Sequence, residues 1–118
     1  MPAKRGELVT PPAKPGGWDL RYATSDAVKG WEQLCQAARS NTWEAWMILT
    51  ERPTTPKNPE RQHRLRGKAL ATRKVNGKVL DQWQYEVTPG GRIWYCPDPD
   101  ERVAWLTDAG PGHPKATE

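Results

Sequence analysis

Leu80–Thr107 reads LDQWQYEVTPGGRIWYCPDPDERVAWLT, strand-like runs separated by two breaks. In Leu80–Thr88, Trp83, Tyr85 and Val87 alternate with Gln82, Gln84 and Glu86. A period of two with aromatic and β-branched residues is the pattern of a half-buried strand. Pro89-Gly90-Gly91 interrupts it, Arg92–Cys96 resumes it, Pro97-Asp98-Pro99-Asp100 interrupts again, and Arg102–Thr107 completes the set. Short Gly- and Pro-bearing loops favour hairpins, so the stretch reads as an antiparallel meander. A three-residue loop Pro89–Gly91 with a left-handed glycine would set Val87 against Ile93 and Tyr85 against Tyr95. That register gathers one apolar face and leaves Gln84, Glu86, Thr88, Arg92 and Trp94 on the other. Arg92 beside Trp94 has two readings: an exposed arginine covering a half-buried indole, or a site that clamps a phosphate and stacks a base.

Working outward, the next signal lies upstream. Lys74-Val75-Asn76-Gly77-Lys78-Val79 holds an Asn-Gly pair between β-branched residues, a two-residue hairpin signal. It pairs Leu70–Val75 with Val79 onward and adds a strand at the front of the meander. Between residues 57 and 78, Lys57, Arg61, Arg64, Arg66, Lys68, Arg73, Lys74 and Lys78 are answered only by Glu60. A basic run through a strand beside Arg92 points to nucleic-acid contact, with a solvated face as the plain alternative. The Pro-rich stretch Arg52–Glu60 connects this region to what precedes it.

Before that, Thr24-Ser25-Asp26 offers N-cap chemistry, and Val28, Trp31, Leu34, Cys35 and Ala38 recur at helical spacing. Arg39-Ser40-Asn41 breaks this helix, and Asn41 or Thr42 caps a second that Pro53 ends. Its inner side is read as Trp43, Trp46, Met47 and Leu49, an aromatic stripe assigned to the core. Trp18–Ala23 is a short first strand. The fold class is therefore α+β: an N-terminal strand, a two-helix hairpin, then an antiparallel β-meander packed on the helices. Residues 1–17 are rich in Pro, Gly and charge and read as a flexible tail, leaving residues 18–118 as one domain.

The totals fit this scale. The chain has 118 residues, a net charge of +4, seven Trp and no Phe. Its pI of about 9.3 suits an anionic partner. Cys35 and Cys96 form no CxxC and no Cys/His cluster, so no disulfide framework and no zinc site is expected. No apolar run is long enough for a signal peptide or a membrane span, so a cytoplasmic protein is expected.

Element order and local motifs together resemble the RelE/ParE superfamily of toxins from toxin–antitoxin pairs. Leu65-Arg66-Gly67 is similar to the Leu-(Arg/Lys)-Gly signature ahead of the sheet in RelE-type proteins. Gly91-Arg92-Ile93-Trp94-Tyr95 is similar to their Gly-x-Arg-(Leu/Ile)-(Val/Trp)-Tyr strand. Asp100-Glu101-Arg102-Val103 to Leu106 resembles the following turn and strand, and His113 the terminal histidine of the YoeB and HigB branches. The resemblance covers roughly Trp18 to Lys115. It implies a ribosome-dependent mRNA endoribonuclease held inactive by an antitoxin, working without metal or cofactor by 2′-OH attack on the adjacent phosphate. It further implies Arg92 as the phosphate-stabilising cation and His113 as general acid. His63 is the matched general base, with Glu86, on the Arg92 face, as its rival. Arg66, Lys68, Arg73, Lys74 and Lys115 would contact RNA, and Trp94 would stack a base. The same scaffold also serves a ParE-like topoisomerase inhibitor without chemistry of its own, or a non-catalytic RNA-binding module. The set Arg92 plus His113 is what an inhibitor would not need.

Overall fold

The computed structural model describes Arg5 and residues 15–112. In chain order the elements are β1 (Asp19–Tyr22), α1 (Ser25–Ala37), α2 (Arg39–Glu51), β2 (Gln62–Arg64), β3 (Thr72–Val75), β4 (Lys78–Asp81), β5 (Trp83–Glu86), β6 (Arg92–Asp98) and β7 (Val103–Gly110). Five of the strands form one sheet in the order β1-β7-β6-β5-β2, antiparallel except for β1 beside β7. The α+β reading holds: an N-terminal strand, two helices, then a mostly antiparallel sheet.

α1 begins where Thr24 caps it, the hydroxyl accepting from Ala27 N at 3.0 Å. Its inner residues Ala27, Gly30 and Leu34 are buried, and it packs on β7. Gly30 permits the approach: a Cβ there would sit 1.7 Å from the Ala109 carbonyl oxygen. Ala38 alone separates the helices, and α2 starts at Arg39 rather than at an Asn41 or Thr42 cap. Thr42 is instead buried, its hydroxyl donating at 3.0 Å to the Leu34 carbonyl at the end of α1. The inner side of α2 is Thr42, Ala45, Leu49 and Thr50. Of the expected inner stripe, Leu49 is in the core and Trp46 is half-buried, but Trp43 is 63% exposed and Met47 38%, so these two lie outside it. Small residues at 42 and 45 let α2 lie close, and the i, i+4 pair Trp43/Met47 falls on the outer stripe.

Leu34, Leu49, Tyr85, Val87, Ile93, Tyr95 and Leu106 make the core between helices and sheet. Each large aliphatic side chain there contributes about 1.5–3 kcal/mol by leaving water. Tyr95 is wholly buried yet satisfied: its hydroxyl donates to the Pro53 carbonyl at 2.7 Å and accepts from Gln62 Nε2 at 3.0 Å. Burial pushes this phenol's pKa well above its usual range, with the Gln62 bond opposing.

The predicted Leu80–Thr88 strand divides at Gln82, which is buried. Its amide nitrogen Nε2 donates to the Leu70 carbonyl at 2.9 Å, and its Oε1 accepts from the Thr107 hydroxyl at 2.6 Å. The β3–β4 hairpin turns at Asn76-Gly77 as expected, with φ of 50° and 82° and Val75 opposite Lys78. It does not join the meander. It forms a separate two-stranded sheet laid against β6, tied down by Lys78 Nζ to Asp98 Oδ2 at 3.0 Å. β2 takes the place beside β5 instead. β6 runs on through Pro97, which lies beyond the last pair with β5, where a missing N–H leaves no gap.

The β5–β6 register differs from the expected one by two residues. Tyr85 faces Ile93, Glu86 faces Arg92 and Trp83 faces Tyr95. An even shift keeps every side chain on its expected face while changing its partner. The turn closes between Thr88 and Gly91, whose amide donates to the Thr88 carbonyl at 3.1 Å and its hydroxyl at 2.9 Å. Neither Gly90 nor Gly91 has a positive φ, so the left-handed glycine loop is not formed.

Candidate functional site

Because Tyr85, Ile93 and Tyr95 face the helices, Gln84, Glu86, Arg92 and Trp94 face away from them. Register extends these into two rows across the sheet. One runs His63–Gln84–Trp94–Asp108, the other Glu86–Arg92–Gly110. The β3–β4 hairpin lies against β6, whose far end carries Cys96 on this same face. Burial pushes the Cys96 thiol pKa up to about 11, against the nearby Arg73 cation and with Asp81 adding to the rise.

Arg92 is 6% exposed. Its NH2 donates to the Gly112 carbonyl at 2.9 Å, and its NH1 to the Gly112 and Gly90 carbonyls at 3.3 Å each. Burial lowers its pKa and Asp108 opposes that, but a guanidinium stays charged throughout the working pH range. Glu86 is half-buried and directly opposite, a pairing that sets Cα atoms about 5 Å apart. Arg92 nevertheless directs its donors to main chain. Arg61 holds the same end of β5: its NH2 donates to the Glu86 carbonyl at 2.9 Å and the Val87 carbonyl at 3.2 Å, and its cation lies 5.6 Å from the Tyr85 ring centre. Asn41 Nδ2 adds a bond to the Val87 carbonyl at 3.0 Å. The backbone entering the turn is thus fixed from both the helix side and the edge strand.

His63 is exposed on β2, its Nδ1 3.2 Å from the Arg64 carbonyl. It sits two strands across and two residues along from Arg92, which strand spacings convert to about 12 Å between Cα atoms. Of the two expected bases, Glu86 is the one on the strand position opposite Arg92, and His63 lies at the flank of the sheet. Trp94 is 6% exposed and its Nε1 donates to Gln84 Oε1 at 2.9 Å. A buried indole has little ring surface to offer a base, and the plain reading of an exposed arginine over a half-buried indole is corrected as well, since both side chains are buried.

The expected RNA contacts divide. Arg66 and Lys68 are exposed around a turn in which the Gly67 carbonyl accepts from Leu70 and Ala71. Arg73 and Lys74 are exposed on β3, but register puts Arg73 beside Leu80 on one face of the hairpin and Lys74 beside Val79 on the other. These two cations cannot line one flat path. His113 and Lys115 lie outside the described residues. Among those described, no group of three or more His, Cys, Asp or Glu residues is placed to hold a metal ion. None of the described helices is long and apolar enough to cross a membrane.

Two participants escaped the sequence. Gln84 was on the correct face by alternation, but nothing marked it as the partner of Trp94. Arg61 was one cation in a basic run; its partners are carbonyl groups, which carry no residue signature.

No family model and no curated protein matches the chain. Among solved structures, the chain is similar to the archaeal RelE–RelB complex from Pyrococcus horikoshii OT3. The match has a TM-score of 0.55 at 19% sequence identity and covers 80% of this chain and 93% of that one. The fold is that of RelE.

Proposed function

From this fold we propose that the chain is a RelE-type toxin: a ribosome-dependent endoribonuclease that cleaves mRNA and is held inactive by an antitoxin. The observation that carries the reading is the register pairing of Glu86 with Arg92 on the sheet face turned away from the helices. The pairing sets the two residues opposite one another on adjacent strands, and a carboxylate and a guanidinium reaching out from there support base and cation roles at one phosphodiester.

The chemistry follows from the residues. Glu86 accepts the proton of a ribose 2′-OH. The 2′-oxygen forms a bond to the adjacent phosphorus, the P–O5′ bond breaks, and an acid returns a proton to the departing 5′-oxygen. The products are a 2′,3′-cyclic phosphate and a 5′-hydroxyl. His113, next in sequence after Gly112, is the proposed acid, its ordinary pKa of about 6.5 suiting proton transfer near neutrality. Arg92 exchanges its Gly112 carbonyl for two phosphate oxygens, a stronger acceptor set for a planar fork. Arg66, Lys68 and Arg73 supply backbone contacts. The solved relative is a complex with RelB, and a comparable antitoxin is the proposed partner here.

The test is in vitro translation with purified protein, followed by primer extension on the mRNA. Cuts that depend on ribosomes are expected from the parent. Arg92→Ala is expected to lower the cleavage rate by about 10²–10³. Intact mRNA with a protein that still arrests growth would reject the nuclease reading. A topoisomerase inhibitor on the same scaffold is the second reading. It is favoured by one observation, that the donors of Arg92 are engaged by main-chain carbonyls; supercoiling assays test it.

A further inference from the structure

The outer side of α2 carries an apolar ridge that nothing in the fold covers. Trp43 and Met47 are both exposed and sit one turn apart. Positions four apart line up as a ridge along a helix. This one continues to Arg39 at one end and Glu51 at the other, both exposed. Among the described residues, neither charge enters an ion pair. Both also stand at the unfavourable end of their helix. A helix N-terminus carries partial positive charge and its C-terminus partial negative, so Arg39 and Glu51 each meet their own sign. α1 has Asp26 in its first turn and the Thr24 cap, whereas α2 has no first-turn acid, no last-turn base and no side-chain cap.

We propose that this ridge docks a second copy of the chain, α2 against α2 in antiparallel sense, across a two-fold axis at the level of Ala45. The register follows from the spacing. Arg39 and Glu51 lie equally far on either side of residue 45, and so do Trp43 and Met47. Inverting the helix therefore sets Arg39 against the second copy's Glu51, and Trp43 against its Met47. Each contact occurs twice, as an isologous interface requires.

The occupant is argued from charge. In this arrangement the second copy's carboxylate arrives at the uncapped N-terminus of α2, and its guanidinium arrives at the last carbonyls. Each copy supplies the charge that the other's helix ends lack. At the centre a thioether meets an indole, a favourable contact. A partner of another sequence would have to present an acid, two apolar side chains and a base at matching intervals; α2 read backwards already does. α2 has 13 residues and is about 20 Å long. A helix pair of that length buries an area at the low end of specific interfaces, so a dissociation constant of about 10–100 μM is expected. The ridge lies on the helix side of the sheet, opposite Glu86 and Arg92. Both of those faces stay open in the dimer, and the inference stands apart from the nuclease reading.

The experiment is sedimentation equilibrium of the purified chain from about 1 to 200 μM, a range that brackets the expected constant. The average mass is expected to rise from 13.3 kDa toward twice that value. Trp43→Lys replaces an exposed side chain at the centre of the interface and is expected to weaken association about tenfold or more. Arg39→Glu and Glu51→Arg each suit the macrodipole of their own helix, so the monomers keep their fold. Each sets like charges together at both ends of the interface and is expected to weaken association by about tenfold. Mixed in equal amounts, the two variants place an acid against a base at both ends and are expected to recover association. A parent that stays at 13.3 kDa throughout overturns the proposal. Association untouched by Trp43→Lys overturns it too, because the copies then meet elsewhere. Charge variants that fail to recover on mixing overturn the antiparallel register. A monomeric parent whose Trp43→Lys variant loses binding to a co-expressed antitoxin assigns the ridge to that partner, and the proposal falls.

Discussion

Gly30→Ala tests how the helix layer supports the site. The added Cβ would lie 1.7 Å from the Ala109 oxygen, 2.3 Å from its carbonyl carbon and 3.0 Å from its Cα. All three atoms are backbone of β7, so no flexible side chain can move aside. Real Cβ contacts essentially never fall below 3.0 Å, so α1 and β7 must part by about 1.3 Å, a gap that forfeits half or more of the dispersion attraction across the interface. Ala27 and Leu34 pack across the same interface and lose contact with it. The expected destabilisation is about 3 kcal/mol, the upper part of the range for overpacked cores. With a urea m-value of about 1.5–2 kcal/mol/M for a domain of this size, the unfolding midpoint should fall by about 1.5–2 M. Gly112→Ala, whose Cβ meets nothing within 4 Å, should stay within about 0.5 kcal/mol of the parent. A Gly30→Ala midpoint equal to the parent's would refute the claim that α1 sits on the β7 backbone at this distance. The substitution also reports on function, because Ala109 leads directly into Gly110–Gly112, whose last carbonyl holds Arg92.

Three other outcomes follow from the geometry. Tyr95→Phe removes a buried hydroxyl that serves two partners, the Pro53 carbonyl and Gln62 Nε2; leaving a buried polar group unpaired costs about 1–3 kcal/mol, read as a lower urea midpoint, and an unaffected midpoint would show that water replaces the hydroxyl. Asp98 is pushed up by burial but held below the ordinary carboxylate range by Lys78 and by the amides of Glu101 and Asp100. A depressed folded-state pKa contributes stability above the unfolded value of about 3.9 that is lost as pH falls through the folded value. The parent should therefore lose stability below about pH 4, and Asp98→Asn should be less stable at neutrality with a shallower acid decline; matching acid profiles would remove the hairpin tether from the explanation. Glu86→Gln should slow cleavage by about 10²–10⁴ if Glu86 is the base, whereas loss of activity only in a His63 variant would move that role across the sheet.

Much of the architecture was readable because it rests on local periodicity. Alternation across Trp83–Val87 and Arg92–Cys96 put Glu86 and Arg92 on one face even though the register was off by two, since an even shift preserves faces. Asn76-Gly77 announced its turn because that dipeptide suits two consecutive residues with positive φ. The α2 stripe held at Leu49 but failed at Trp43 and Met47 for an opposite reason: all three are apolar, and hydrophobicity does not say which side small residues such as Thr42 and Ala45 will hold close to the rest of the fold. The hairpin also misled, since a good turn fixes its two strands to one another but not to a third.

What the sequence by itself determined is the order of strand, two helices and sheet apart from β2, the β-hairpin at Asn76-Gly77, the faces of β5 and β6, and a basic stretch before them. These depend on interactions between residues near in sequence, where spacing is the geometry. What only the tertiary structure decided is which carbonyl a guanidinium meets and which strand lies beside which. Arg92 on Gly112, Arg61 on Glu86, Gln82 with Thr107, and β2 rather than β4 beside β5 all join segments 20 or more residues apart. Most of those partners are main-chain groups that every residue carries, so they acquire meaning only when the packing of α1 and α2 on the sheet brings them within reach.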